Sequence, residues 1–382
     1  GVMRLRRDLG QNSTLGGVLT TREDGDDHSR LAGADLRLYH SRLYFVELQA
    51  VQSWTDSAGS TRSDPFLSVT WDRTGRQWGF NYGVNAVGEG FNAAAGFVNR
   101  TGVIDAHIFN RLSFYGDQDD LIQTWGGFSR IQRIWDYRDP AGAIEGGESL
   151  YPSATLRGGW RLSGAINRDF FTYQPEFYQG FSVELPGDTV AFTLPGRENN
   201  QWNGSFGLTT PTWRAVTANV AVSWGKTPIF VEAAPGSMLG LTGTVELRPT
   251  AGLRATAQLA RLTLQRSRDD SRFSRETIPR LKLEYQLSRA IFFRLVGQYT
   301  ARERSPLVDR SGNPILIGGV KDEGSTTNEL RMDWLFSYRP IPGTLVYLGY
   351  GSTMEESRQF RFSDLERSVD GFFAKVSYVF RM

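Results

Sequence analysis

Along most of this chain apolar and polar residues alternate with period two, the signature of strands buried on one face only. The stretch Val369 to Met382 is the model case. Phe372, Ala374, Val376, Tyr378, Phe380 and Met382 fall on one side, while Lys375, Ser377 and Arg381 fall on the other with Phe373 and Val379. An aromatic three residues from the end gives this stretch the form of the closing strand of a bacterial outer-membrane barrel. Earlier runs repeat the pattern. Tyr44, Val46, Leu48 and Ala50 oppose Glu47, Gln49 and Ser53; Leu281, Leu283, Tyr285 and Leu287 oppose Arg280, Lys282, Glu284 and Gln286. Leu330, Met332, Trp334, Phe336 and Tyr338 oppose Glu329, Arg331, Asp333 and Ser337. At Ala260-Arg261 the phase slips to Leu262 and Leu264, which predicts a bulge or the membrane boundary.

The connections fall into two kinds. Tight turns are expected at Gly10-Gln11, His40-Ser41, Thr74-Gly75 and near Ser163-Gly164, and a polar loop over Arg22 to His28. Long insertions are expected over Gln174 to Glu198 and Ser305 to Gly324, where partner or ligand contacts belong. Short turns at one end and long loops at the other characterise outer-membrane barrels. Runs of about 10–14 residues suit a tilted bilayer crossing, whereas strands of soluble sheets average about 5–6. Tyr39, Tyr44, Trp54, Trp71, Trp224, Tyr299 and Tyr338 near strand ends fit aromatic girdles at the two interfaces. The fold class is therefore all-β, a large antiparallel up-and-down transmembrane β-barrel of about 18–20 strands spanning residues 1–382. The run count of about 19 is odd where bacterial single-chain barrels close with even numbers. At least one strand is accordingly expected before Gly1, in a mature chain or a fragment without its leader.

Composition sharpens this picture at three points. Among 382 residues, 13% are aromatic, 42 are glycine and none is cysteine, which excludes a disulfide framework and thiolate metal sites. Mean hydropathy is −0.36, and no window approaches a transmembrane helix; barrel strands need only half as many apolar residues. A formal net charge of +2 argues against nucleic acid as a partner.

Four blocks resemble a family of bacterial outer-membrane proteins of unknown function. They are Arg4-Leu-Arg-Arg-Asp8 with Ser13-Thr-Leu-Gly-Gly17, and Val87-Gly-Glu-Gly-Phe-Asn92 with Gly96-Phe-Val-Asn-Arg-Thr-Gly102. Phe293-Arg-Leu-Val-Gly-Gln-Tyr299 follows, then Leu335-Phe-Ser-Tyr338 with Pro342-Gly-Thr344. The second block is the most specific. Members of that family carry an N-terminal domain similar to family-nine carbohydrate-binding modules ahead of a C-terminal barrel. The resemblance implies the barrel part of such a protein, an upstream domain, and a glycan ligand.

Candidate chemistry is sparse. Asp105 and His107 share one strand face, as a carboxylate orienting a general base would, but no nucleophile or second acid is placed beside them. They stand as weak catalytic candidates against an ordinary polar pair in a wet lumen. Glu23, Asp24, Asp26 and Asp27 lack the spacing of a calcium loop, and Gly88-Glu-Gly90 lacks the strand-then-helix context of a phosphate cradle. No cofactor or metal is expected. The more informative set is the polar face: Asp35, Arg37, Glu47, Arg254, Arg280, Lys282, Glu284, Arg294, Arg302, Glu329, Arg331, Asp333, Lys375 and Arg381. Such charges either tune passage through a lumen or pair across strands and stabilise the wall. Passage or surface handling of a solute in the bacterial outer membrane is the leading expectation. A structural barrel, plugged by its own domain or a partner, is the alternative, and an integral-membrane hydrolase the third. Expected partners are outer-membrane lipids, a plug domain or protein partner, and a glycan ligand.

Overall fold

The computed structural model describes residues 1–57 and 59–379. Among them, nineteen strands form one antiparallel sheet and four short strands a second. The first ten wall strands are Val2–Leu9 (β1), Ser13–Asp24 (β2), Asp27–Tyr39 (β3), Tyr44–Ser57 (β4), Ser60–Arg73 (β5), Trp78–Val87 (β6), Val103–Tyr115 (β7), Ile122–Asp136 (β8), Ala143–Leu156 (β9) and Arg161–Thr172 (β10). The next connection holds a short 3-10 helix, Pro175–Tyr178, and the hairpin Phe181–Leu185 (β11) and Asp188–Ala191 (β12). Six wall strands follow: Arg197–Thr209 (β13), Val216–Ile229 (β14), Ala234–Leu247 (β15), Leu253–Arg266 (β16), Arg272–Gln286 (β17) and Ile291–Arg304 (β18). A second long connection holds Ile315–Ile317 (β19) and Val320–Lys321 (β20), before Ser325–Tyr338 (β21), Thr344–Glu355 (β22) and Glu366–Tyr378 (β23) complete the wall.

The strands divide between two compact units: residues 1–154, 165–172 and 197–201, and residues 155–164, 173–196 and 202–382. Within the first, Leu48, Trp54, Leu67, Val69, Trp71 and Val84 stand exposed on one face, and Glu47, Gln49, Val51 and Ser53 on the other. Within the second, Val220, Trp224, Leu239, Leu241 and Leu281 form the outward apolar rows. Exposed apolar residues aligned on one face of an antiparallel sheet are what a lipid-facing belt requires. The opposite rows are the inner face.

Strands of 12–15 residues, such as β2, β8 and β17, exceed the bilayer crossing and continue beyond it. The expected polar loop over residues 22–28 is for this reason a hairpin. Asp24 pairs with Asp27 and Glu23 with His28, so the ladder persists in water. Glu23 bonds Thr21 at 2.7 Å and Arg30 at 3.3 Å, and contacts His28.

Other expectations move by small distances. The reversal expected at Ser163-Gly164 lies earlier, between β9 and β10, where Gly158 and Gly159 adopt φ of +86° and +94°. Only glycine enters that region without strain. No bulge occurs at Ala260-Arg261: β15 and β16 pair without interruption from Leu247↔Ala255 to Gly236↔Arg266. The irregularity falls at Leu264/Gln265 against β17. Tyr39 turns inward, packing on Phe45 at 5.3 Å between ring centroids, instead of joining the outer girdle. Phe380, Arg381 and Met382 of the closing stretch lie outside the described residues.

Candidate functional site

In each unit, long connecting sequence folds onto that unit's own inner face. In the first unit this is the connection between β6 and β7. Val51, Phe66 and Val87 are cross-strand partners on one inner row, and Phe91 folds back among them, 7% exposed. Its ring lies 5.8 Å from that of Phe66. Polar contacts fix the backbone beside it. Gly90 N donates to Asp64 Oδ2 at 2.6 Å, Gly88 N to Pro65 O at 2.9 Å and Asn92 N to Ser53 Oγ at 3.0 Å. A Cβ on Gly88 would stand 2.6 Å from Asp64 Cβ, and one on Gly90 2.7 Å from Asp64 Oδ2. The two glycines are thus required for a close backbone approach to one carboxylate.

In the second unit the insertions after β10 and β18 build a small cap. β11 pairs with β12 on one side and with β19 on the other, and β19 with β20. Ile229, Phe273, Leu307 and Ile315 form its core, with Phe181, Phe192 and Leu264 packed against them. Leu264 and Arg266 continue the inner row that begins at Arg254. The phase slip at residues 260–264 therefore marks the level where outward positions turn polar and inner positions meet an apolar cap. The cap is fastened by a buried ion pair. Arg266 Nε donates to both Glu232 oxygens, at 3.1 and 2.9 Å, and its Nη2 to Pro306 O at 2.8 Å. Val308 N donates to Glu232 Oε1 at 3.1 Å, and Glu232 is 1% exposed. Left-handed Ala233 turns the chain there at φ +45°. Tyr178 donates to Phe230 O at 2.6 Å, and burial pushes its hydroxyl pKa up.

At the cap's last turn Arg304 donates to both oxygens of Asp322 at 2.7 Å, which holds the carboxyl below its ordinary range. A depressed folded-state pKa stabilises above the unfolded value, about 3.9, and the contribution is lost as pH falls through the folded value. Residues 305–324 are accordingly expected to lose amide-exchange protection as pH drops below about 3.9, with the wall strands still protected. In Asp322→Asn that acid step should be reduced. An equal acid sensitivity in the variant would refute the role of this pair.

The other candidates are placed as follows. Asp105 and His107 share the inner face but turn to different partners: Gln132 Nε2 donates to both Asp105 oxygens at 2.9 Å, and His107 Nε2 lies 2.7 Å from Asn81 Oδ1. Arg254, Glu284 and Arg294 line up across β16, β17 and β18. Lys282 faces Val296 and then Asp333, while Arg280 and Arg331 flank Gln298 from either side. Lys282 bonds Glu284 at 3.0 Å, Arg331 lies 3.4 Å from Glu329, and Arg254 lies 3.6 Å from Glu246. Arg302 pairs with Glu276, and Arg37 with Glu47. Asp35 lies 2.6 Å from Arg4. Lys375 stands opposite Tyr347 on the same inner face. Arg381 lies outside the described residues. The residues missed in the sequence are Phe91, Asp64, Glu232 and Arg266, whose roles arise from contacts between distant segments.

The chain matches no protein-family model and no curated protein sequence. Among solved structures it is similar to the copper transporter OprC, with 14% identity and a TM-score of 0.53 over 96% of this chain and 71% of that one. It also aligns with the ferric-catecholate import receptor Fiu from E. coli K12 in its closed form. That alignment has 11% identity and a TM-score of 0.49, and covers 100% and 73% of the two chains. OmpT, an outer membrane protein of Vibrio cholerae, aligns at 12% identity and a TM-score of 0.34 over 85% and 91%. At such identities the likeness to OprC is one of fold. With its nineteen-stranded antiparallel sheet and its apolar outward rows, the chain is an outer-membrane β-barrel and belongs in the bacterial outer membrane.

Proposed function

We propose that this protein is a conduit for hydrophilic solutes across the outer membrane, with permeability set by its charged inner rows and by the segments folded over them. The observation that carries this reading is the inner face of β16, β17, β18 and β21, where charges of both signs recur strand after strand. A wall needs no such charges to hold together, since exposed pairs contribute only about 0–1 kcal/mol each. Rows of charge along a lumen act on passing ions directly. Likeness in fold to a copper transporter agrees with solute uptake as the broad class. A glycan-derived solute, and an upstream domain that captures it, are supported by the sequence resemblance alone.

Single-channel recording in planar bilayers tests the reading. Steady conductance is expected, and Arg280→Glu with Arg331→Glu should shift the reversal potential in a salt gradient toward cation preference. An unshifted potential in an open channel would remove these arginines from the pathway. The second reading, a barrel shut by its own segments that anchors a surface assembly, draws on the cap core around Ile315, 0% exposed. A silent but folded wild-type barrel would favour it.

A further inference from the structure

We propose that the loop between β22 and β23 is a binding site for a phosphate-bearing lipid of the outer leaflet. The loop, residues 356–365, folds onto the outward face of β18 and β21. Tyr299, Leu330 and Met354 share one outward row, with Asn328 and Ala301 in the row above. Glu356, buried at this outer surface, organises the loop. It accepts from the Tyr299 hydroxyl, from Arg361 N at 3.3 Å and from Phe362 N at 2.7 Å. Phe360 N donates to the Tyr299 oxygen at 2.9 Å, and Asn328 Nδ2 to Glu356 O at 3.2 Å.

This clasp holds Phe360 and Phe362 at φ of +57° and +55°. Two aromatic residues in the left-handed region are sterically costly, and such strain concentrates where a side chain must be aimed. The phenylalanine rings are 41% and 52% exposed, on a face whose neighbouring rows meet lipid. Ring stacking of Phe360 on Tyr299, at 4.4 Å, fixes the inner side of the pair.

The level identifies the occupant. Outward positions of β21 run from Tyr338 through Phe336, Trp334, Met332 and Leu330 to Asn328. Ten residues rising about 3.3 Å each along a strand tilted by about 40° climb roughly 25 Å, the height of the apolar band. The loop thus sits at the outer rim of that band, where acyl chains give way to headgroups. Arg358 and Arg361, both exposed, alternate with the two phenylalanines there. The nearby carboxylate of Asp364 accepts from Ser357 Oγ at 2.7 Å and Ser363 Oγ at 3.2 Å and is also in the field of the Arg361 guanidinium, so a phosphate would share Arg361 with it. Aromatic rings beside an acyl chain and guanidinium groups beside a phosphate match a phosphorylated lipid, and continuity with the lipid belt excludes the need for a protein partner.

Native mass spectrometry of the detergent-folded barrel, titrated with bis-phosphorylated lipid A and with its dephosphorylated form, tests this. Wild type should retain the phosphorylated lipid at least tenfold better. Arg358→Gln with Arg361→Gln should abolish that preference with heat-modifiable gel mobility intact, because the clasp uses the backbone of Arg361 and not its side chain. Phe360→Ser with Phe362→Ser should weaken both lipids alike. Equal binding of the two lipids by wild type, an unchanged preference in the arginine variant, or full competition by inorganic phosphate would each overturn the proposal.

Discussion

Glu232→Ala should unfasten the cap. The side chain is buried against Arg266 and also receives Val308 N, so its removal leaves a guanidinium and a backbone donor without their acceptor. Breaking one partner of a buried pair costs about 3–5 kcal/mol. For a cap that opens locally, this raises the open fraction by roughly two to three and a half orders of magnitude. Trypsin reads the outcome directly, because Arg310 and Lys321 lie within residues 305–324. Wild type is expected to resist cleavage at both, and the variant to be cut quickly there with its wall strands intact. A variant digested at the wild-type rate would show that the apolar core around Ile315 holds the cap without the ion pair. If the cap restricts the inner face, conductance of the variant should rise in parallel with cleavage.

The second large effect is expected at Phe91. Truncation to alanine removes the ring that joins Val51, Val87 and Phe66, at a cost of about 3 kcal/mol for a buried phenylalanine in a small cluster. The segment it secures spans residues 88–102 on the inner face of the first unit. Hydrogen exchange of these amides should accelerate, and single-channel conductance should become larger or noisier. Gly90→Ala should do the same by another route, since its Cβ would meet the Asp64 carboxylate. Conductance identical to wild type in both variants, with exchange accelerated, would mean that the segment lies away from the solute path.

These two segments also mark the limit of what periodicity reveals. Wall strands are legible because side chains on a strand alternate without regard to what lies further off, so Leu281 and Lys282 betray their faces from local sequence alone. The cap has no such period. β19 is three residues long and β20 two; β19 takes its partner β11 from more than 120 positions away, and β20 in turn pairs with β19. Gly88-Glu-Gly90 stood out as a motif, yet its reason is the approach to Asp64 across the inner face. The long insertions over residues 174–198 and 305–324, and the phase slip at Leu262 and Leu264, were the local traces of the cap. Their meaning required knowing what faced those residues.

What the amino-acid sequence determined by itself is the class of the wall: antiparallel strands long enough to cross a bilayer, apolar outside and charged inside, joined by turns of two kinds. That follows because lipid leaves the backbone no solution but paired strands or helices, and the pattern here has period two. Only the tertiary structure decided how the long connections are spent. Glu232 finds Arg266, Phe91 finds Val51, and Glu356 finds Tyr299 through contacts that depend on register and packing between distant segments. Those contacts are where the inner face and the lipid-facing rim acquire their specific chemistry.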